Sequence, residues 1–180
     1  AWLDGGGRVD ATFTRKGLSG ITLLMQAALC GHERLAVALL QRGASIDLQN
    51  GVSSTARNGY TALLCAALND HERVVDTLIR HGAEIDLQNK NGGSALMHAA
   101  AHNRPAVVLR LLRAGADTKL RSVHGKSALQ LAKEKGHAEC VEAFRQHISE
   151  VTASRREAAA GGAGGASLGE AAASSSSLGR

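Results

Sequence analysis

The stretch Gly92-Gly93-Ser94-Ala95-Leu96-Met97-His98-Ala99-Ala100 decides the fold, because the chain writes it more than once. Gly59-Tyr60-Thr61-Ala62-Leu63-Leu64-Cys65-Ala66-Ala67 stands 33 residues before it, and Gly125-Lys126-Ser127-Ala128-Leu129-Gln130-Leu131-Ala132-Lys133 stands 33 residues after it. A fourth copy opens at Gly20, 39 residues before Gly59, so six extra residues separate the first two units. A second phrase repeats in step: Leu39-Leu40-Gln41-Arg42-Gly43-Ala44, Leu78-Ile79-Arg80-His81-Gly82-Ala83 and Leu111-Leu112-Arg113-Ala114-Gly115-Ala116. Self-similarity at a fixed period of this length marks a stacked-repeat architecture.

One unit is readable from local physics. Thr22, Thr61, Ser94 and Ser127 each precede an Ala/Leu-rich run, where a hydroxyl can accept from the orphan amides of a helix start. That first helix is short and ends near Gly31, Asn69-Asp70, Asn103 and Gly136. The pairs Ala27-Ala28, Ala66-Ala67 and Ala99-Ala100 let a neighbouring helix approach closely. A second helix follows, with Leu35, Leu39, Leu40, then Val74, Val75, Leu78, Ile79, then Val107, Val108, Leu111, Leu112 at helical spacing. Gly43, Gly82 and Gly115 close it. Ile46-Asp47-Leu48 and Ile85-Asp86-Leu87 are β-compatible and lead into Asn/Gly-rich turns. Two short helices cannot bury an apolar face alone, whereas stacked pairs cover one another. The expected architecture is an all-α repeat solenoid of helix-turn-helix units.

The pattern Gly-x-Thr-x-Leu-x-x-Ala-Ala, then Gly-His-x-x-x-Val/Leu, then Leu-Leu-x-x-Gly-Ala-x-Ile-Asp resembles the ankyrin repeat over about residues 17–148. The resemblance implies units joined by β-hairpin-like fingers in a gently curved stack. The boundaries follow: 1–16 as the remnant of a preceding repeat, 17–150 as the repeat domain with units near 17–50, 57–89, 90–121 and 122–149, and 151–180 as a disordered Ala/Gly/Ser-rich tail. Trp2 to Asp10 resembles Leu39 to Asp47, so the first residues read as the tail of an earlier unit. Ala132-Lys133 replaces the alanine pair in the fourth unit, and Arg145 stands where other units have Leu40, Ile79 and Leu112, which reads as a solvent-facing cap. The family's usual proline is replaced by Leu23, Ala62, Ala95 and Ala128, and its usual histidine by Met25, Leu64, Met97 and Gln130, so a modestly stable array is expected.

Composition bounds the function. The 180 residues are 44% hydrophobic and 21% charged, an ordinary globular balance, with aromatics at 2%. No apolar run approaches the roughly 20 residues that span a bilayer, so no membrane span is expected. Three cysteines without a CxxC pair, and no apolar leader, read as reduced thiols in an intracellular, cytoplasmic protein. The net charge is +5, and residues 101–150 alone carry +4. This local excess lacks interleaved aromatics and a reading helix, which argues against nucleic acid.

No catalytic constellation emerges, and no enzyme activity or cofactor is expected. His32-Glu33 and His71-Glu72 begin like a zinc-protease motif, but Ala36 and Val75 stand where its second histidine belongs. His98 and His102, four apart with Cys65 in the place equivalent to His98, are the best metal candidates. No fourth ligand accompanies them, and no metal site is expected. What the resemblance implies instead is a protein-protein interaction module. Its surface would take Arg57, Asn58 and Tyr60, Lys90 and Asn91, and Arg121, His124 and Lys126 from the finger tips. The first helices would add Leu29, Cys30, Leu68, Asn69, Ala101 and His102. The basic finger Lys119, Arg121, His124 and Lys126 points to an acidic protein partner. The alternative is an accessory segment of a larger, truncated enzyme or receptor. An uncapped N-terminal face would favour self-association.

Overall fold

The computed structural model describes residues 8–15, 18–51 and 59–161. Among them lie β1 (Thr12–Arg15) and β2 (Leu18–Thr22), then four helix pairs. The pairs are α1 (Leu23–Leu29) with α2 (Glu33–Gln41), α3 (Ala62–Leu68) with α4 (Glu72–Arg80), α5 (Ala95–Ala101) with α6 (Pro105–Arg113), and α7 (Ala128–Glu134) with α8 (Ala138–Gly161).

Each hydroxyl ahead of an Ala/Leu run caps a helix. Thr22 Oγ1 accepts from the Met25 amide at 3.1 Å, Thr61 Oγ1 from Leu64 at 3.3 Å, and Ser94 and Ser127 Oγ from Met97 and Gln130 at 3.4 Å. In the fourth unit the Gln130 side chain also accepts from the Ser127 amide at 2.9 Å, completing a capping box. Gln130 thus does structural work at the helix start where the family's usual histidine is missing. The second helices of the first three units stop at Gly43, Gly82 and Gly115, with φ of +79°, +86° and +93°. A side chain in that left-handed region is strained, and glycine is not.

Residues 1–147 form one unit, in which α1 packs on α3, α3 on α5 and α5 on α7, while α2 packs on α4 and α4 on α6. The alanine pairs explain the closeness of the first-helix row. Ala27, Ala28, Ala66, Ala67, Ala99, Ala100 and Ala132 are all fully buried. Leu39, Leu78 and Leu111 of α2, α4 and α6 are fully buried in the core, which Cys140, Ala143 and Phe144 of α8 join.

Polar side chains stitch unit to unit. Asp10 accepts from the Ser45 amide at 2.9 Å, Asp47 from the Glu84 amide at 3.1 Å and Asp86 from the Asp117 amide at 2.9 Å. The Gln49 amide group donates to Gln88 O at 3.1 Å, and Gln88 donates to Arg121 O at 3.1 Å. The His71 ring N–H reaches Leu29 O at 3.1 Å and that of His137 reaches Ala101 O at 3.2 Å. These histidines, which stand at the starts of second helices, satisfy carbonyls at the ends of first helices.

The fingers depart from simple hairpins. A β-ladder forms in the first finger, where β1 pairs antiparallel with β2 (Thr12 opposite Thr22, Phe13 opposite Ile21). The β-compatible stretches Ile46–Leu48 and Ile85–Leu87 are turns and irregular backbone. Buried asparagines replace a ladder there. Asn50 Oδ1 accepts from the Tyr60 amide at 2.6 Å, and Asn89 Oδ1 from the amides of Asn91 at 3.0 Å and Gly93 at 2.8 Å.

The described residues from Ile148 on, helical to Gly161, form a second unit. The expectation that helix ends near residue 148 and a disordered tail begins at 151 is therefore corrected for residues 151–161. Ser149 to Ala160 contains neither glycine nor proline and carries the good helix formers Glu150, Arg155, Arg156, Glu157 and Ala158, so nothing stops α8 before Gly161. Residues 162–180 lie outside the described residues.

Candidate functional site

Buried Asn50 and Asn89 hold two of the fingers, and in the last finger Ser122 Oγ accepts from the His124 amide at 3.3 Å instead. Lys90 and Asn91 are exposed at the tip between the second and third units. The Asn91 carbonyl accepts from the Val123 amide at 3.0 Å, so this tip is tied to the next finger. Arg121 and His124 are exposed in that next finger.

The basic cluster is partly spent within the protein. Lys126 pairs with Glu134. The Arg121 guanidinium donates to Gly125 O at 2.7 Å and to Gln130 Oε1 at 3.4 Å, so it braces its own finger. Lys90, Lys119 and His124 are exposed at the fingers. Sequence reasoning missed Val123, which is 64% exposed between Ser122 and His124. The signal was there to read: the equivalent position one unit earlier is Lys90, so an apolar residue at that tip is out of pattern.

Tyr60 requires a correction. The reading above placed it at an exposed finger tip, but it is 8% exposed. Its ring lies against His98, with centroids 5.0 Å apart. It also lines a small, mainly apolar hollow with Ile21, Met25, Leu29, Asn50, Cys65 and Leu68. The amide bond to Asn50 turns the backbone inward, and the ring follows. Leu68 is likewise buried, while Leu29 is half-buried and Cys30 exposed. Arg57 and Asn58 lie outside the described residues.

The ends of the first helices present Cys30, Asn69 and His102, all exposed and in equivalent positions of successive units. Asn69 Nδ2 donates to Cys65 O at 2.8 Å, and a ring N–H of His102 reaches His98 O at 2.9 Å. Both side chains thus cap their own helix ends. Ala101 is half-buried, and its carbonyl is occupied by His137 and, at 3.0 Å, by Lys135 Nζ. His98 and His102 stand with ring centroids 6.3 Å apart. Among the described residues, no group of three or more His, Cys, Asp or Glu is placed to hold a metal ion.

Electrostatics concentrate on the second helices. Arg110 of α6 donates to Glu72 Oε2 of α4 at 3.1 and 2.7 Å and pairs with Asp76 as well. Hydrogen bonds to Glu72 and then Asp76 raise the guanidinium's pKa further above its ordinary value. Arg104 and Asp70 add a contact at 3.7 Å between the same two units. Burial pushes the Cys140 thiol's pKa up; its Sγ lies 3.6 Å from Asn103 Oδ1, to which it donates. A buried thiol of that kind is a poor nucleophile. No helix among the described residues is long and apolar enough to cross a membrane.

The family model described as ankyrin repeats matches the chain in three copies, over residues 3–89, 24–122 and 75–155. No curated protein matches it.

Proposed function

The chain belongs to the ankyrin-repeat family, and from that premise we propose that it binds an acidic protein partner through its finger tips and the exposed ends of its first helices. Ankyrin repeats are in general protein-protein interaction modules. The observation that carries the finer reading is the pair of adjacent fingers: Lys90 and Asn91 on one, Val123 and His124 on the next, tied by the bond between Val123 and Asn91. An exposed apolar side chain within a cationic, preformed rim suits a partner that offers an apolar contact flanked by carboxylates. Asn69 and His102 extend the surface along the first helices, and Arg121 and Lys126 contribute by bracing the last finger. Tyr60 packs against His98, four residues before His102 in the same segment.

The test is a pull-down with the 180-residue chain against variants carrying Lys90→Glu with His124→Glu, and Val123→Ser. These exposed positions leave the internal bonds of Arg121 and Lys126 intact. A partner held by the native chain and lost by both variants supports the reading. A partner held equally by all three places recognition elsewhere on the stack.

A second reading, in which the array is one segment of a larger enzyme or receptor, draws on Leu35. It is 41% exposed, while the equivalent Val74 and Val107 are 1% and 0% exposed beneath a preceding second helix. A further helix, from the same polypeptide or from a second copy, would cover that face.

A further inference from the structure

Ser45 occupies a position that the next two units give to an acid. The equivalent residues are Glu84 and Asp117, and all three offer a backbone amide to the aspartate of the unit before. Ser45 adds a second bond: its hydroxyl donates to Asp10 Oδ2 at 2.6 Å while its amide donates to Oδ1 at 2.9 Å. One carboxylate is therefore clasped twice, and the clasp ties the segment containing Val9 and Asp10 to the first helix pair. Ser45 is exposed, follows the left-handed Gly43 around which there is open space, and has the exposed Arg42 three residues before it.

We propose that Ser45 is a phosphorylation site, and that its modification opens the clasp on Asp10. An arginine three residues ahead of the acceptor is the arrangement that a protein kinase with an acidic substrate groove selects. In the transfer, the Ser45 Oγ–P bond forms at the γ-phosphorus of a nucleoside triphosphate and the bond to its β-phosphate oxygen breaks. Nucleoside diphosphate leaves, and the hydroxyl proton passes to the kinase's catalytic base. The product has lost the donor that held Asp10 Oδ2, and it sets a near-dianionic group against a carboxylate. Glu84 and Asp117 do not impose this, because neither carries its charge on the atom that would otherwise donate. With Asp10 repelled, Val9 leaves its partly buried contact with the core, and the hairpin of β1 and β2 loses its anchor beside it.

The experiment uses the 180-residue chain, a basophilic protein-kinase catalytic subunit and magnesium-ATP, with the site mapped by peptide mass spectrometry. Hydrogen exchange is then followed at the Ser45 and Ala11 amides. The expected result is phosphate at Ser45 and exchange faster by about tenfold or more at both amides, with the amides of α5 unchanged. Ser45→Ala, which loses the hydroxyl bond and keeps the amide bond, takes up no phosphate there and shows a smaller rise. Absence of phosphate from Ser45 in the folded chain, while a peptide of residues 40–50 is phosphorylated, overturns the site. Phosphate at Ser45 with unchanged exchange overturns the clasp.

Discussion

The junction between the second and third units and the outer side of the first unit are built from the same repeat and solve different problems. At the junction, Val107 is fully buried, Arg110 binds Glu72 and Asp76 on the helix before it, and Arg104 approaches Asp70. At the first unit, the places of Val107 and Arg110 are taken by Leu35 and Ala38, and Leu35 stands 41% exposed. The hairpin of β1 and β2 and the Asp10 clasp lie ahead of α1 instead. The lesson is that a repeat position has no fixed energy. Its worth depends on whether a neighbour covers it.

The largest effect should come from the shared core. Leu111→Ala should cost about 3 kcal/mol, within the usual range for a fully buried leucine, read as a lowered urea midpoint. Leu35→Ala should cost less than about 1 kcal/mol by the same measurement. Equal losses would erase the distinction between covered and uncovered positions.

Next comes a glycine pair. A Cβ at Gly31 would lie 2.6 Å from His71 Nδ1, whereas one at Gly136 would meet nothing within 4 Å, although both have φ near +70°. Gly136→Ala should therefore cost about 1 kcal/mol for backbone strain alone. Gly31→Ala should cost more, because it also displaces the His71 bond to Leu29 O. The difference in thermal midpoints measures what that inter-unit bond is worth.

Smaller still is Arg110→Met. The guanidinium and its partners are each more than a third exposed, so water screens the pairing and the loss should be about 0.5–1 kcal/mol, shrinking in high salt. A loss indifferent to salt would mean that its packing, not its charge, joins the units.

The smallest effect is a pH slope. Burial raises the Cys140 pKa above the ordinary 9.0. The stabilisation this represents is fully present below the unfolded thiol's pKa and is lost as pH rises through the higher folded value. Stability should therefore fall in that alkaline window, and Cys140→Ala should flatten the fall, measured by urea titration across pH. In the native state at neutral pH, a thiol reagent should label the exposed Cys30 ahead of the buried Cys65 and Cys140.

Much of the fold was legible because the repeat writes its own punctuation. Thr22, Thr61, Ser94 and Ser127 announce their helices through a local bond three residues away, and Gly43, Gly82 and Gly115 announce the ends. The surface was less legible because it depends on contacts between units. Nothing local to Tyr60 says that Asn50, ten residues back, turns its amide inward or that His98 receives its ring. Lys126 reads as a positive charge until Glu134, the last residue of the following helix, is seen beside it. The continuation of α8 past residue 150 was hidden by reading composition where propensity ruled: Arg155, Arg156 and Ala158 carry the helix on to the glycine that stops it.

The row formed by Asp10, Asp47 and Asp86 has a consequence for how such a chain can grow. Each aspartate belongs to one unit by sequence and serves the next by hydrogen bond. A tandem duplication of a whole interval from one aspartate to the next, 37 residues after Asp10 or 39 after Asp47, therefore carries one acceptor and one donor with it. The exchangeable cassette is that length of chain rather than a helix pair with natural borders. Grafting between arrays should succeed at any cut that preserves the spacing from one aspartate to the next.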